Sequence, residues 1–255
     1  MLCRLRCNIF FMKMNLADRR SIRRYTDQPV PQERLEELLS LAFRASNTGN
    51  MQTYSVIVTR DKERKRALAP LHFNQPCVLS ASVVLTFCVD FRRFSDWCLA
   101  SDAQPGYDNF LSFYGATIDS MLVAQAFASL AEQEGWGLCF LGTTNYNAAG
   151  ICDALHLPQL VFPVTTVTLG WPDELPELSD RLPAQGLIHL ESYQEGDVKA
   201  LYADKEALPQ MRRFVEENGK RTLAQVFTDV RYPKESNEAF SDALLSAIQR
   251  QGFHL

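Results

Sequence analysis

Residues 109–134 constrain this chain more than any other stretch. Read at helical spacing, the segment has apolar side chains on every side, among them Phe110, Leu111, Phe113, Met121, Leu122, Val123, Phe127 and Leu130. A helix that is apolar all round has no face to offer water and must be buried. It is therefore expected to form the spine of the fold, and it is a candidate subunit interface. Asp119 lies inside it and reads as a hydrogen-bonded structural residue rather than a catalyst.

The flanking sequence supplies elements to pack on that spine. Residues 15–23 are expected to form a short helix leading into a bend. Pro31 suits the first position of a helix that carries Leu35, Leu38, Leu39, Ala42 and Phe43 at helical spacing. Residues 54–59 are rich in β-branched side chains and read as a strand. Residues 61–71 form a charged helix. Residues 82–89 are nearly all apolar, which predicts a central strand buried on both faces. Strands over 136–141 and 164–169 enclose a helix over 147–155. Alternating strands and helices favour an α/β or α+β fold. From about residue 184 the character changes: residues 194–229 read as polar and helical, with a last helix over 236–251. That part reads as an excursion on a single domain that starts near residue 14.

At 255 residues the chain has room for one good-sized domain, and 46% hydrophobic with 22% charged residues is ordinary for a globular protein. A net charge of −4 argues against a nucleic-acid partner. No apolar run approaches the roughly 18 residues of a membrane span, so no membrane association is expected. Residues 1–13 are basic and then briefly apolar. That apolar run falls short of the roughly seven to fifteen residues a secretory signal needs, and the segment reads as a ragged extension. The seven cysteines are odd in number and scattered, with no CxxC pair. They make no disulfide framework, and a reducing, cytoplasmic setting is expected. Cys88 and Cys139 sit in apolar runs and read as core residues. The histidines do not stand at metal-ligand spacing from the cysteines, and no metal is expected.

Three segments could carry chemistry. Arg19, Arg20, Arg23 and Arg24, with Ser21 among them, place four guanidinium groups within six residues. They are close enough to converge on one anion, unless they form a solvated basic turn. The polar loop 46–52 sits between an apolar helix and a strand. Its side chains could read a planar heterocycle, or could simply end the helix. Leu141, Gly142 and Thr143 end a strand, where ligands often bind, and Gly142 admits close approach of a backbone amide. There is no GxSxG, HExxH, P-loop or GxGxxG. His72 and His156 read as surface or satisfied core histidines.

Taken in order, these segments resemble the nitroreductase family, in particular its NADPH-dependent flavin reductase/oxygen-insensitive nitroreductase branch. RRSIRRYTDQPVP is close to the family's first block. SNTGNMQTYSVIVTRD is similar to the second, GWGLCFLGTTNYNAAGICDALHLP to the third, and FPVTTVTLGWPDELPELSDRLP to the fourth. The likeness runs from about residue 15 to 252.

The resemblance implies an α+β fold with a mixed sheet flanked by helices, an intertwined homodimer, and one FMN per subunit at the interface. By position, Arg19, Arg20, Ser21 and Arg23 would hold the flavin from one end. Arg19 and Arg181 would take the phosphate, and Arg23 would lie near the pyrimidine edge. Ser46, Thr48, Asn50 and Gln52 would come from the partner subunit. Gln75 would read the ring edge, and Leu141, Gly142 and Thr143 would line the ring near its reactive nitrogen. The sequence departs from the branch in two places. Ser179 replaces a lysine two residues before Arg181, and Thr143 replaces a second glycine. Lys220 and Arg221 fall where the branch grips the extra phosphate of NADPH.

The implied activity is ping-pong transfer of reducing equivalents from NADPH or NADH, through FMN, to nitroaromatic, quinone or flavin acceptors. The chemistry would rest on the cofactor, with no catalytic side chain of its own. Two alternatives are a non-catalytic FMN-binding storage or sensor protein and an anion-binding interaction module built on the arginine cluster.

Overall fold

The computed structural model describes residues 16–254; the expected extension over 1–13 lies outside them. The fold is α+β. Strands β1 (Tyr54–Thr59), β2 (Val83–Asp90), β3 (Gly137–Leu141) and β4 (Val161–Gly170) form one sheet in the order β1-β2-β4-β3. Every pairing within this sheet is antiparallel, in place of the mixed pairing expected, and among the described residues the one parallel contact is an isolated bridge between Asn109 and His254. All eight residues of β2 are buried, as its sequence requires. Its register with β4 shifts between Phe87 and Cys88, opposite Pro163. Proline has no N–H to give to a ladder, so a bulge there is the physical consequence.

Helices cover the sheet: α1 (Gln32–Ala42), α2 (Lys62–Leu68), α3 (Pro76–Ser80), α4 (Arg92–Ala100), α5 (Phe110–Gln133) and α6 (Ala148–Leu155). Pro31 caps α1 rather than opening it, its carbonyl accepting from the Leu35 N–H. Asn109 caps α5 by accepting from the Ser112 N–H. The inner face of α5 (Val123, Ala124, Phe127, Ala128 and Ala131) packs with Leu35 and Leu38 of α1 and with Leu85 and Phe87 of β2. Its outer residues Phe110, Leu111, Tyr114, Ile118, Met121 and Leu122 are exposed in the single chain. Among the described residues no helix is long and apolar enough to cross a membrane.

The helix expected over 15–23 is only a turn at Leu16–Asp18. Beyond it the chain runs along β3, where the Ile22 N–H donates to the Leu138 carbonyl. Tertiary pairing has overridden local preference there.

The chain divides into two compact units. The first reaches Glu177 and resumes at Asp242; the second is Leu178–Ser241. The second contains α7 (Val198–Ala207), α8 (Pro209–Glu217) and α9 (Leu223–Val226), followed by a π-helical turn at Phe227–Arg231. Asp197 and Thr222 cap α7 and α9. A last helix, α10 (Lys234–Arg250), leads to the chain end, where Ala247, Ile248 and Phe253 bury against Phe162 and Phe91.

Candidate functional site

The arginine cluster is held by its two inward residues. Ile22 is buried over Gly137, where a Cβ would sit 2.7 Å from the Ile22 side chain. The Tyr25 hydroxyl lies 2.6 Å from the Ile22 carbonyl and 2.7 Å from Thr168 Oγ1, beneath β4. These anchors leave Arg23 and Arg24 exposed and Ser21 half-buried. Glu174, in the turn after β4, then fixes the loop's backbone. Its Oε1 accepts from the N–H groups of Arg23 (2.6 Å) and Arg24 (3.1 Å), while its Oε2 meets Arg24 Nε at 3.0 Å.

The four guanidinium groups do not share one task. Arg20 donates to the carbonyls of Asp18 and Pro176, each at 2.7 Å. Arg19 pairs at 3.4 Å with Glu132 of α5, a carboxyl whose pKa burial pushes up and Arg19 pulls back down. Arg24 is held by Glu174. Arg23 makes no ion pair among the described residues. Its charge reaches the buried thiols of Cys77 and Cys139, whose pKa values burial raises and Arg23 lowers.

Cys77 and Cys139 are sequence neighbours of the next site residues. Gln75, just before α3, donates from Nε2 to Thr143 Oγ1 at 3.4 Å. The same hydroxyl lies 2.8 Å from His72 Nδ1. Leu141 is buried, and Gly142 is exposed with nothing within 4 Å of where its Cβ would be. A cavity of about 340 Å³ opens there, lined by Leu141, Gly142, Thr117, Met121 and Phe162 among others. Gln75, Leu141, Gly142 and Thr143 thus gather at the end of β3, while Arg23, next to Ile22 at the start of that strand, reaches it at Cys139.

Ser46, Thr48, Asn50 and Gln52 form a second, exposed group. Asp119 of α5 accepts from the Thr48 N–H at 2.9 Å and from its hydroxyl at 3.2 Å, the structural role expected of it. Asn47 Oδ1 accepts from the Gln52 N–H at 3.2 Å, and Gln52 Nε2 lies 3.5 Å from Asn50 Oδ1. Arg93 of α4 donates to the carbonyls of Gln52 (2.6 Å) and Tyr54 (3.1 Å) while pairing with Asp90 at 3.0 Å. The turn runs through positive φ at Gly49 (57°), Asn50 (54°) and Gln52 (53°). Glycine and asparagine tolerate that region, whereas Gln52 must be held in it.

Arg181, Lys220 and Arg221 belong to the second unit. Arg181 bonds to Ser179 Oγ at 2.9 Å and to the Asp180 carbonyl at 2.7 Å. Asp180 pairs with Lys205 at 2.7 Å, so its charge is answered within the unit. Lys220 and Arg221 line a cleft of about 400 Å³ together with Arg212, Glu206 and Glu216. Lys220 is paired at 2.9 Å with Asp229.

Residues 16–97 match the model of the nitroreductase family. An oxygen-insensitive NADPH nitroreductase of Salmonella typhimurium is 32% identical over 214 residues, covering 84% of this chain and 86% of that protein. The chain belongs to the nitroreductase family. A Bacillus subtilis FMN reductase of the NAD(P)H type is 33% identical over 72% of this chain and 74% of its own length. Among solved structures, a Bacteroides fragilis protein provisionally assigned as an oxidoreductase is 55% identical. It superposes with a TM-score of 0.93 over 94% of this chain and 99% of that one. Nitroreductase A of Vibrio parahaemolyticus gives 28% identity and a TM-score of 0.78, covering 94% and 98%.

Two residues of this nitroreductase-family chain, Glu174 and Arg93, were not singled out from the sequence. They hold the two loops by backbone contacts across long sequence separations, which composition does not reveal. The acid shortly after Gly170-Trp171-Pro172 was the only available signal for Glu174. His72 is buried, as a core histidine would be, but only Nδ1 is satisfied and Nε2 has no partner.

Proposed function

We propose that this chain is an FMN-dependent NAD(P)H oxidoreductase that reduces nitroaromatic, quinone or flavin acceptors by a ping-pong mechanism. The observation that carries this reading is the Gln75–Thr143 contact beside the open Cα of Gly142, with the Arg23 charge felt on the same strand at Cys139. A guanidinium without a carboxylate, an amide and a hydroxyl next to an apolar recess suit a flat, electron-poor ring that gains negative charge on reduction. The names of the Salmonella and Bacillus relatives support the same chemistry.

When bound, FMN supplies the electron chemistry, taking a hydride from the nicotinamide and giving reducing equivalents to the acceptor. The protein binds and orients. Arg23 favours the anionic reduced ring, Gln75 fixes its edge, and Leu141, Gly142 and Thr143 bound its face. Arg19, Arg20 and Ser21 hold the rest of the cofactor, with Arg19 toward the phosphate. Arg19 must exchange its contact with Glu132 for that role.

Ser46, Thr48, Asn50 and Gln52 serve the partner's cofactor in a homodimer. The exposed apolar face of α5 supports this, because Asp119 of the same helix anchors their loop. Lys220 and Arg221 meet the extra phosphate of NADPH. Five cysteines among the described residues are buried and free, which fits a cytoplasmic setting.

An absorbance spectrum tests the proposal. Purified protein should show flavin bands that bleach under anaerobic NADPH or NADH, and initial rates should give parallel double-reciprocal lines. Bands that persist would indicate a binding protein without this activity. No bands after added FMN would end the reading.

A further inference from the structure

His72 is wholly buried at the end of the turn Pro70–His72, which packs on the turn Gly142–Thr144. Its Nδ1 lies 2.8 Å from Thr143 Oγ1, and its Nε2 is buried with no partner. Burial pushes its pKa down to about 4, so the ring is neutral and carries a single N–H. That hydrogen has two possible positions. On Nε2 it would be an orphaned buried donor, which proteins rarely tolerate. On Nδ1 it has the Thr143 oxygen to donate to, and only a lone pair goes unpaired. Gln75 Nε2 donates to the same oxygen. A hydroxyl accepts two hydrogen bonds and donates one. With both acceptor positions filled from the protein interior, the Thr143 hydrogen is left for an outside partner.

We propose that His72 is a positioning residue, which as its Nδ1–H tautomer joins Gln75 in forcing the Thr143 hydroxyl to act as a hydrogen-bond donor to the ring of a bound flavin. This rests on the flavin reading above. The reactive ring nitrogen accepts a hydrogen bond when oxidised and carries its own hydrogen when reduced. A committed donor there favours the oxidised ring and lowers its reduction potential.

Two measurements test this. In the protein without added flavin, 15N NMR should show the His72 proton on Nδ1; a proton on Nε2 overturns the proposal. In flavin-loaded protein, His72→Leu should raise the two-electron potential by about 30 mV, a tenfold change in the oxidised-to-reduced binding ratio. Thr143→Val should raise it as much, and the double variant no further than Thr143→Val alone. His72→Asn keeps a donor near the Nδ1 position and should restore the starting potential, an outcome that a purely structural role would not give. Equal potentials in all variants, or additive shifts, overturn the proposal while leaving the flavin assignment intact. Failure of the unaltered protein to take up flavin would instead remove the functional reading. Should His72→Leu not fold, Thr143→Val and His72→Asn still decide the matter.

Discussion

Strand β2 and helix α5 both read as apolar on every side, yet the fold covers them differently. β2 lies between β1 and β4, and all eight of its residues are buried within the chain. α5 buries Val123, Ala124 and Phe127 completely, but leaves Leu111 80% and Tyr114 55% exposed. Apolar sequence states what must leave water, and it does not state which chain provides the cover. A contiguous exposed apolar face of this kind marks a contact surface. The loop 46–52 hangs from the same helix through Asp119, so the helix joins the core, the exposed apolar face and that loop.

The inner face of α5 should give the largest effect on folding. Phe127 is fully buried with its ring 6.2 Å from that of Phe87. Phe127→Ala should cost about 3–5 kcal/mol, read from the midpoint of a urea titration. A cost below about 1 kcal/mol would mean that this face is no better packed than the outer one.

Next is the buried imidazole. His72 has its pKa lowered to about 4 by desolvation, from an ordinary 6.5. Between those values the unfolded chain binds the proton and the folded chain does not. Stability should therefore fall as pH drops from 6.5 towards 4, by at most about 1.4 kcal/mol per pH unit, and His72→Asn should remove that slope. An unchanged slope in the variant would assign the acid sensitivity to other groups.

A smaller effect is expected where α5 meets the loop. Asp119→Ala removes the two bonds to Thr48 and should cost about 1.5–3 kcal/mol, with faster exchange of the Thr48 amide. If the amide exchanges at the same rate, Asp119 is not what anchors the loop.

Much of this architecture was legible from the sequence, and the omissions have physical causes. The β-branched run at Tyr54–Thr59 forms a strand with the expected limits. The spine was visible because no turn of it offers a polar face. α4 was missed because Arg92 and Asp96 satisfy each other one turn apart and Phe91 provides no side-chain cap. The site was legible in its composition, not in its division of labour. Four nearby arginines suggested one anion. Glu132, Glu174 and two carbonyls, all but one of them far away in sequence, engage three of the four.

The smallest expected effect on folding separates the two faces most sharply. Ile118 is 46% exposed in the single chain, and Leu122 stands one turn further along the same face. Because both residues are exposed on the outer face, where a carboxylate can reach water, Ile118→Glu or Leu122→Glu should change the stability of the isolated chain by no more than about 1 kcal/mol. If α5 is the contact surface between two copies, the same substitutions bury a charge against apolar side chains, a far larger penalty than removing the apolar packing alone. Light scattering should then report a halved mass at unchanged helix content. Flavin retention should fall with it, because Ser46, Thr48, Asn50 and Gln52 would no longer reach a partner's site. A mass unchanged by both substitutions would mean that this face is covered by something other than a second copy, and the loop's residues would need a role within their own chain.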